Sequence, residues 1–446
     1  MTTTSLLKST EGNESQSPEF AGCSHHPLLT IGGHTSNSTS SEKSISRARE
    51  WMDRCHRSHR SCATTMDGSG DGGDNSTARL PDRVVHIISA NKIRVAESST
   101  ITPEAGYACL SHRWSPETEA VSLKRANLET YKRGVHISSL PQMFQDVMGA
   151  VNQLGLEYVW IDSLCIVQDD LGDWHQVASS MASIYEGAAI TVFATSCASS
   201  SDSLFSNPNG TTEASDMTFH RGCGSNVEGQ AIFPLLTRAW VLQERLLSRR
   251  ILHFTDRELF WECREATWCE CRRDEDSWTE RRRQAKRDIK DTEWADIVET
   301  YSDLELTLAK DKLTAIEGIA TRFGRAKNWN YVCGLWAENF ENEFLWRRYH
   351  SGDKPRPHPR TAPTWSRASV DGKLLFPGNP RLIDEICNVS LIEPPVEAGR
   401  HALSMLKLSV RAVDAHVCHD DQDDGGGLHQ KKSLMLLPLT VELSTL

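Results

Sequence analysis

Residues 107–263 predict a doubly wound α/β domain on a mainly parallel sheet, and three observations carry that prediction. Short apolar runs, several ending in polar corners, recur at 107–111, 157–162, 189–194 and 250–254. Helix-length segments separate them, with apolar residues at helical spacing. Strands alternating with helices of this length imply parallel pairing and right-handed crossovers.

Residues 1–45 are Ser/Thr-rich without a hydrophobic period, which predicts an unstructured start. Residues 46–106 read as an N-terminal subdomain: the segment ISRAREWMDRCHRSHRSC, a flexible linker MDGSGDGGDNSTA, and two short strands of a hairpin, LPDRVVHI and KIRVAES. Inside the α/β domain, Ser139 and Gln142 have capping-box spacing at the start of a helix over 139–156. Leu140, Phe144, Val147, Val151 and Leu154 form its apolar stripe. Residues 173–176 cap the next helix, whose apolar face is Trp174, Val177, Ala178, Met181, Ile184 and Tyr185. Thr237 starts a third helix over 238–247.

Residues 264–350 open with the charged run RRDEDSWTERRRQAKRDIKD, a solvated helix or loop, and continue as helices from about Trp294 to Trp346. The apolar faces there are Trp294, Ile297, Val298 and Tyr301, then Leu313, Ile316, Ile319 and Ala320. A Pro-rich linker leads into a β-rich region over 364–446.

The net charge of −11 gives no basic field, so no nucleic-acid partner is implied. No apolar run reaches membrane-spanning length, and the N-terminus lacks the apolar core of a secretory signal. The 13 cysteines are odd in number and scattered, which argues for buried thiols in a reducing, cytoplasmic setting rather than a disulfide framework. No Gly-rich fingerprint follows the first strand, which disfavours Rossmann-type hydride transfer, and no P-loop occurs, so a switch ATPase would have to be another protein.

Ligands of such sheets sit at the carboxyl ends of the strands. That rule singles out Ser111 to Trp114, Asp162 to Gln168, and the start of the third helix. Arg113 and Arg238 suit structural salt bridges or anion binding, since guanidinium forks match phosphates. Asp162 caps a loop or lines a ligand site, and Gln168 closes a loop or offers an amide. Cys165 reads as a buried thiol in preference to a nucleophile, since no neighbouring His or Lys in the sequence marks it as activated. Trp240 and Glu244 stand four residues apart on one helix face. An indole beside a carboxylate makes a wall suited to a cationic aromatic ligand, and desolvation there raises the carboxylate pKa. The plainer alternative is a surface Glu paired with Arg or Lys. Cys55, His59 and Cys62 offer three metal ligands, and Cys269 and Cys271 two more. The spacings fit no standard zinc knuckle, so buried thiols or a helix face are preferred over zinc and no metal or other cofactor is assigned.

Three stretches carry a resemblance. YACLSHRW (107–114), LEYVWIDSLCIVQDD (156–170) with Asp173, Trp174, Met181, Ile184 and Tyr185, and TRAWVLQERLLSRRILHF (237–254) resemble, in order, the motifs of fungal heterokaryon incompatibility (HET) domains. Ser115 departs from the Gly usual there. Cys55, His59 and Cys62 resemble an upstream pattern of the family; YVCGLW (331–336) and PTWS (363–366) resemble downstream ones. The resemblance implies a role in fungal non-self recognition, innate immunity and programmed cell death, with self-association or a signalling partner.

More distantly, the element order and the Trp-x-x-x-Glu spacing are similar to TIR domains, which implies a flavodoxin/TIR-like sheet. Several TIR domains cleave NAD through a Glu on a similar helix. That likeness implies Glu244 as catalytic carboxylate, with Ser111, Arg113, Trp114, Asp162, Gln168, Arg238 and Trp240 binding the nucleotide and NAD as substrate. The chemistry is coherent, because nicotinamide departs neutral and the enzyme need only stabilise an oxocarbenium-like transition state. The alternative is a non-enzymatic signalling or scaffold module.

Overall fold

The computed structural model describes Ser36 and residues 38–63, 80–102, 105–207, 233–270, 292–344, 346–349, 362–363 and 366–376, with the backbone of five short strands beyond residue 386. The linker at 66–78, the charged run at 272–291 and most of the Pro-rich run lie outside the described residues, as do residues 1–35.

One nine-stranded sheet organises the fold, in the order β4-β2-β1-β5-β3-β6-β7-β8-β9. The strands are β1 Arg83–Ser89, β2 Lys92–Glu97, β3 Tyr107–Ser111, β4 Val135–His136, β5 Tyr158–Trp160, β6 Ile190–Phe193, β7 Arg250–Phe254, β8 Leu259–Cys263 and β9 Thr267–Cys269. The four strands expected to be parallel are adjacent and parallel: β3 lies between β5 and β6, and β6 pairs with β7. Counted along the chain they run second, first, third, fourth, the flavodoxin-type order, so the topological switch point falls between β3 and β6. The 83–97 hairpin does not stand apart as a subdomain; β1 joins the sheet antiparallel to β5. On the far side β8 and β9 add an antiparallel extension.

Six helices matter here: α1 Glu42–Ser58, α2 Gln142–Gln153, α3 Leu171–Gly187, α4 Ala239–Leu247, α5 Trp294–Ser302 and α6 Thr314–Lys327. Side chains alternate across a strand, which sorts these helices onto the two faces. Tyr107 Oη donates to the Ile184 carbonyl of α3 (2.7 Å), and Glu262 of β8 accepts from Arg245 of α4 (2.9 Å). On the other face Trp261 of β8 meets Trp51 of α1, and Arg49 of α1 donates to the Gln153 carbonyl that ends α2. Phe144, Val147 and Val151 of α2 are completely buried, each contributing roughly 2 kcal/mol of apolar transfer.

Two helix starts differ from expectation. Leu140 precedes a proline, which holds it extended, so α2 begins only at Gln142 and Ser139 caps nothing. The Ser139 hydroxyl instead donates to the His136 carbonyl. For α3 the cap is Asp170, which accepts from the amides of Gly172 and Asp173. Asp173 itself takes the Arg83 guanidinium of β1 and the Val167 amide, tying the hairpin to the loop after β5. Ordered structure also starts earlier than residue 46: Ser41 caps α1, and Ser36 and Thr39 are buried.

The helices beyond residue 290 complete the core. The Gly318 amide of α6 donates to Gln243 Oε1 of α4 (2.8 Å). A Cβ at Gly318 would stand 2.9 Å from the Ala182 Cβ of α3 and 2.6 Å from Gln243 Oε1. Glycine lets three helices approach closely there. Gly318→Ala is therefore expected to destabilise the protein by about 1–3 kcal/mol in urea unfolding; an unchanged midpoint would show that the helices separate at no cost. Further on, residues 331–336 form a small hairpin whose Trp336 is fully buried. Strands Cys387–Leu391, Leu406–Val410 and Thr440–Leu443 make an antiparallel triplet. Among the described residues no helix is long and apolar enough to cross a membrane.

Candidate functional site

Ser111 ends β3 with its side chain on the same face as Tyr107, towards α3 and α4. Glu244 of α4 lies against that strand end. It is not a surface residue paired to a base: it is 8 % exposed, and its Oε2 has no hydrogen-bond partner among the described residues. Burial raises its pKa from 4.5 to about 7; nearby Asp162 adds to the rise, while Ser111, Arg238 and Tyr185 oppose it. The Ser111 hydroxyl is likewise buried and faces the Glu244 carboxyl that it helps to hold down, while Ser163 Oγ and His112 Nε2 are buried without a partner among the described residues. Buried polar atoms are ordinarily satisfied, so Glu244 Oε2 at the end of β3 marks a place suited to water, an ion or a ligand, whereas the His112 ring lies against Phe144 of α2 on the other face.

Asp162 ends the run after β5 and holds this corner together. Its carboxylate accepts from Trp114 Nε1 (2.6 Å) and from the Ser163 amide (2.7 Å), and His112 Nδ1 lies 3.7 Å away. Desolvation lowers the His112 pKa, so the ring is neutral at pH 7 and this contact is not an ion pair. Gln168 donates its amide to the carbonyls of Asp162 and Ile166, which is loop closure. Cys165 is buried, with its thiol pushed up to about 12, an inert packing residue.

Arg113 and Arg238 are half-buried and donate to main-chain carbonyls, Pro234 O (3.1 Å) and His112 O (3.4 Å). Neither forms a salt bridge among the described residues, and the Arg238 charge lies near enough to Glu244 to help hold its carboxyl down. Trp240 is half-buried beside Asp311, whose carboxyl burial pushes up and Trp240 opposes in part, so its ring faces the segment before α6. The structure thus links Ser111, Trp114, Asp162, Gln168, Arg238 and Glu244 through direct neighbours. Arg113 reaches outward to Pro234 and Trp240 to Asp311. A separate cavity of about 220 Å³ between α5, α6 and residues 367–374 does not include Glu244.

His112 falls in the Ser111–Trp114 stretch that the strand-end rule marks, but sequence reasoning did not find Tyr185 as a member of this corner. The sequence puts Tyr185 only on the apolar face of its helix, and the 2-1-3-4 strand order brings that helix against Glu244. Of the metal candidates, Cys55, His59 and Cys62 converge, but with Cys263 rather than Cys269. Cys271 lies outside the described residues.

The family model described as heterokaryon incompatibility protein (HET) matches residues 107–244. The match begins with β3 and ends on Glu244, so it spans the switch point and every residue of this corner. No curated protein and no solved structure matches the chain.

Proposed function

We propose, from the premise that residues 107–244 are a HET domain, that the protein acts in fungal heterokaryon incompatibility and programmed cell death by cleaving the nicotinamide N-glycosidic bond of NAD when its copies cluster. The single observation that carries this reading is the Glu244 carboxylate, buried, unpartnered on one oxygen and poised near neutral pH beside the Ser111 hydroxyl. Perturbed carboxylates of this kind concentrate at functional sites. Arg113 and Arg238 supply positive charge for the pyrophosphate, and Ser111 holds a ribose hydroxyl. The ribose–nicotinamide bond breaks with its electron pair leaving on the ring nitrogen. Ionised Glu244 stabilises the oxocarbenium that remains, and water adds to it with loss of a proton.

A second reading, a non-enzymatic assembly module, is favoured by the enclosure of Glu244 at 8 % exposure. On the enzymatic reading, clustering opens the corner to substrate. Purified protein forced into clusters by a fused oligomerising tag separates the two. Nicotinamide should accumulate with the clustered form and not with the monomer. Assembly without nicotinamide release would leave the scaffold reading standing.

A further inference from the structure

On the opposite face of the sheet from Glu244, Cys55 closes the C-terminal turn of α1, His59 and Cys62 follow in the turn after it, and Cys263 ends β8. Cys55, Cys62 and Cys263 are completely buried and His59 is 4 % exposed. One ligand atom from each of the four lies within 4.8 Å of the others. Cys263 Sγ stands 3.3 Å from His59 Nδ1, while His59 Nε2 is buried without a partner. All three cysteines are free thiols.

We propose that these four side chains bind a structural Zn²⁺ ion. Three sulfurs and one imidazole nitrogen converging on a point make the Cys₃His set that zinc takes in tetrahedral sites. Bonds of about 2.3 Å to sulfur and 2.0 Å to nitrogen require ligand atoms roughly 3.5–3.8 Å apart, a separation reached here by small side-chain adjustments. Without a metal, three thiols and an imidazole crowd into a dry space in which His59 Nε2 finds no partner. Four protein ligands, all buried, leave no open position for water, which marks a structural rather than a catalytic centre.

The surroundings fit an anionic centre. Three thiolates with Zn²⁺ carry one net negative charge, and Arg250, 3 % exposed, donates its Nε to Cys55 Sγ at 3.2 Å and its Nη2 to the Cys62 carbonyl. Arg264 Nη1 holds the Ser61 carbonyl at 2.9 Å, and the Trp268 ring covers His59 at 5.4 Å. Partners beyond the ligands orient and tune metal sites in this way. The ligands flank the domain matched by the family, Cys62 before it and Cys263 after it. The ion would therefore staple α1 to the β7–β8 hairpin and fasten the two ends of the domain together.

The test uses the full chain. Purified without chelators, it should carry about one zinc per molecule by elemental analysis, released stoichiometrically when the thiols are mercurated. Exchange for Co²⁺ should give thiolate-to-metal charge-transfer absorption and the intense visible bands of a tetrahedral site. Cys263→Ser and His59→Ala should lower retained metal at least tenfold, while Cys197→Ser, distant from the cluster, should leave it unchanged. If the Cys263 variant does not fold, the cobalt spectrum of the wild type decides alone. Metal far below stoichiometry in folded wild type, a disulfide between any two of the three cysteines, or a cobalt spectrum without sulfur ligation would overturn the proposal.

Discussion

Replacing Glu244 by Gln is expected to lower nicotinamide release about a hundredfold or more while making the protein more stable above pH 7. The first effect follows from the lost charge, since one electrostatic contact to a developing cation contributes on the order of 3–4 kcal/mol. The second follows from linkage. In the folded protein the Glu244 pKa is about 7, against 4.5 when unfolded. Between those values the unfolded chain has given up a proton that the folded chain keeps, so stability falls as pH rises through this window. Above about pH 8 the deficit approaches roughly 3 kcal/mol, and below pH 4.5 it vanishes. Gln carries no such penalty. Thermal unfolding of both proteins from pH 4.5 to 8.5 should therefore show curves that start together and separate, with the variant higher. The wild-type rate should itself climb through about pH 7 as the carboxylate ionises. A variant less stable than wild type at pH 8 would mean that the carboxylate serves the fold.

The second large effect is expected at Glu186, at the end of α3. Its carboxylate is shared by Arg264, after β8, at 3.3 Å and by Arg322 of α6 at 2.9 Å, with all three side chains at 10 % exposure or less. Buried charges stand only while paired, so Glu186→Ala should cost about 3–5 kcal/mol in urea unfolding. Both arginines lie outside residues 107–244, so the same contact predicts that the family-matched segment alone is much less stable than the chain continued through α6. A loss under about 1 kcal/mol would place the triad among the weak, solvent-relaxed pairs.

The parallel strands were legible because each is a short apolar run between periodic helices, and 107–111, 158–160, 190–193 and 250–254 pair as that pattern implies. Helix starts were less legible, because a capping spacing does not reveal a competing signal. At Ser139 the following Pro141 held the chain extended, and at Asp173 the neighbouring Asp170 took the amides while a distant Arg83 took the carboxylate. The widening of the sheet by β1 and β8 was hidden too, since antiparallel additions leave no crossover helix to announce them. In the candidate site, Ser111, Asp162 and Glu244 could be placed from strand ends and helix spacing. The enclosure of Glu244 could not, because it depends on α3 and α6 closing over α4. Cys263 joins Cys55 and Cys62 only through the pairing of β7 with β8, about 200 residues along the chain, which no local spacing encodes.

Cellular NAD and viability, followed together for wild type and Glu244→Gln at equal soluble expression, decide whether NAD cleavage through Glu244 kills cells. Wild type should deplete NAD before cells die, and the variant should leave both NAD and viability intact. Death by wild type with NAD unchanged, or NAD consumed by the variant at the wild-type rate, would contradict this mechanism.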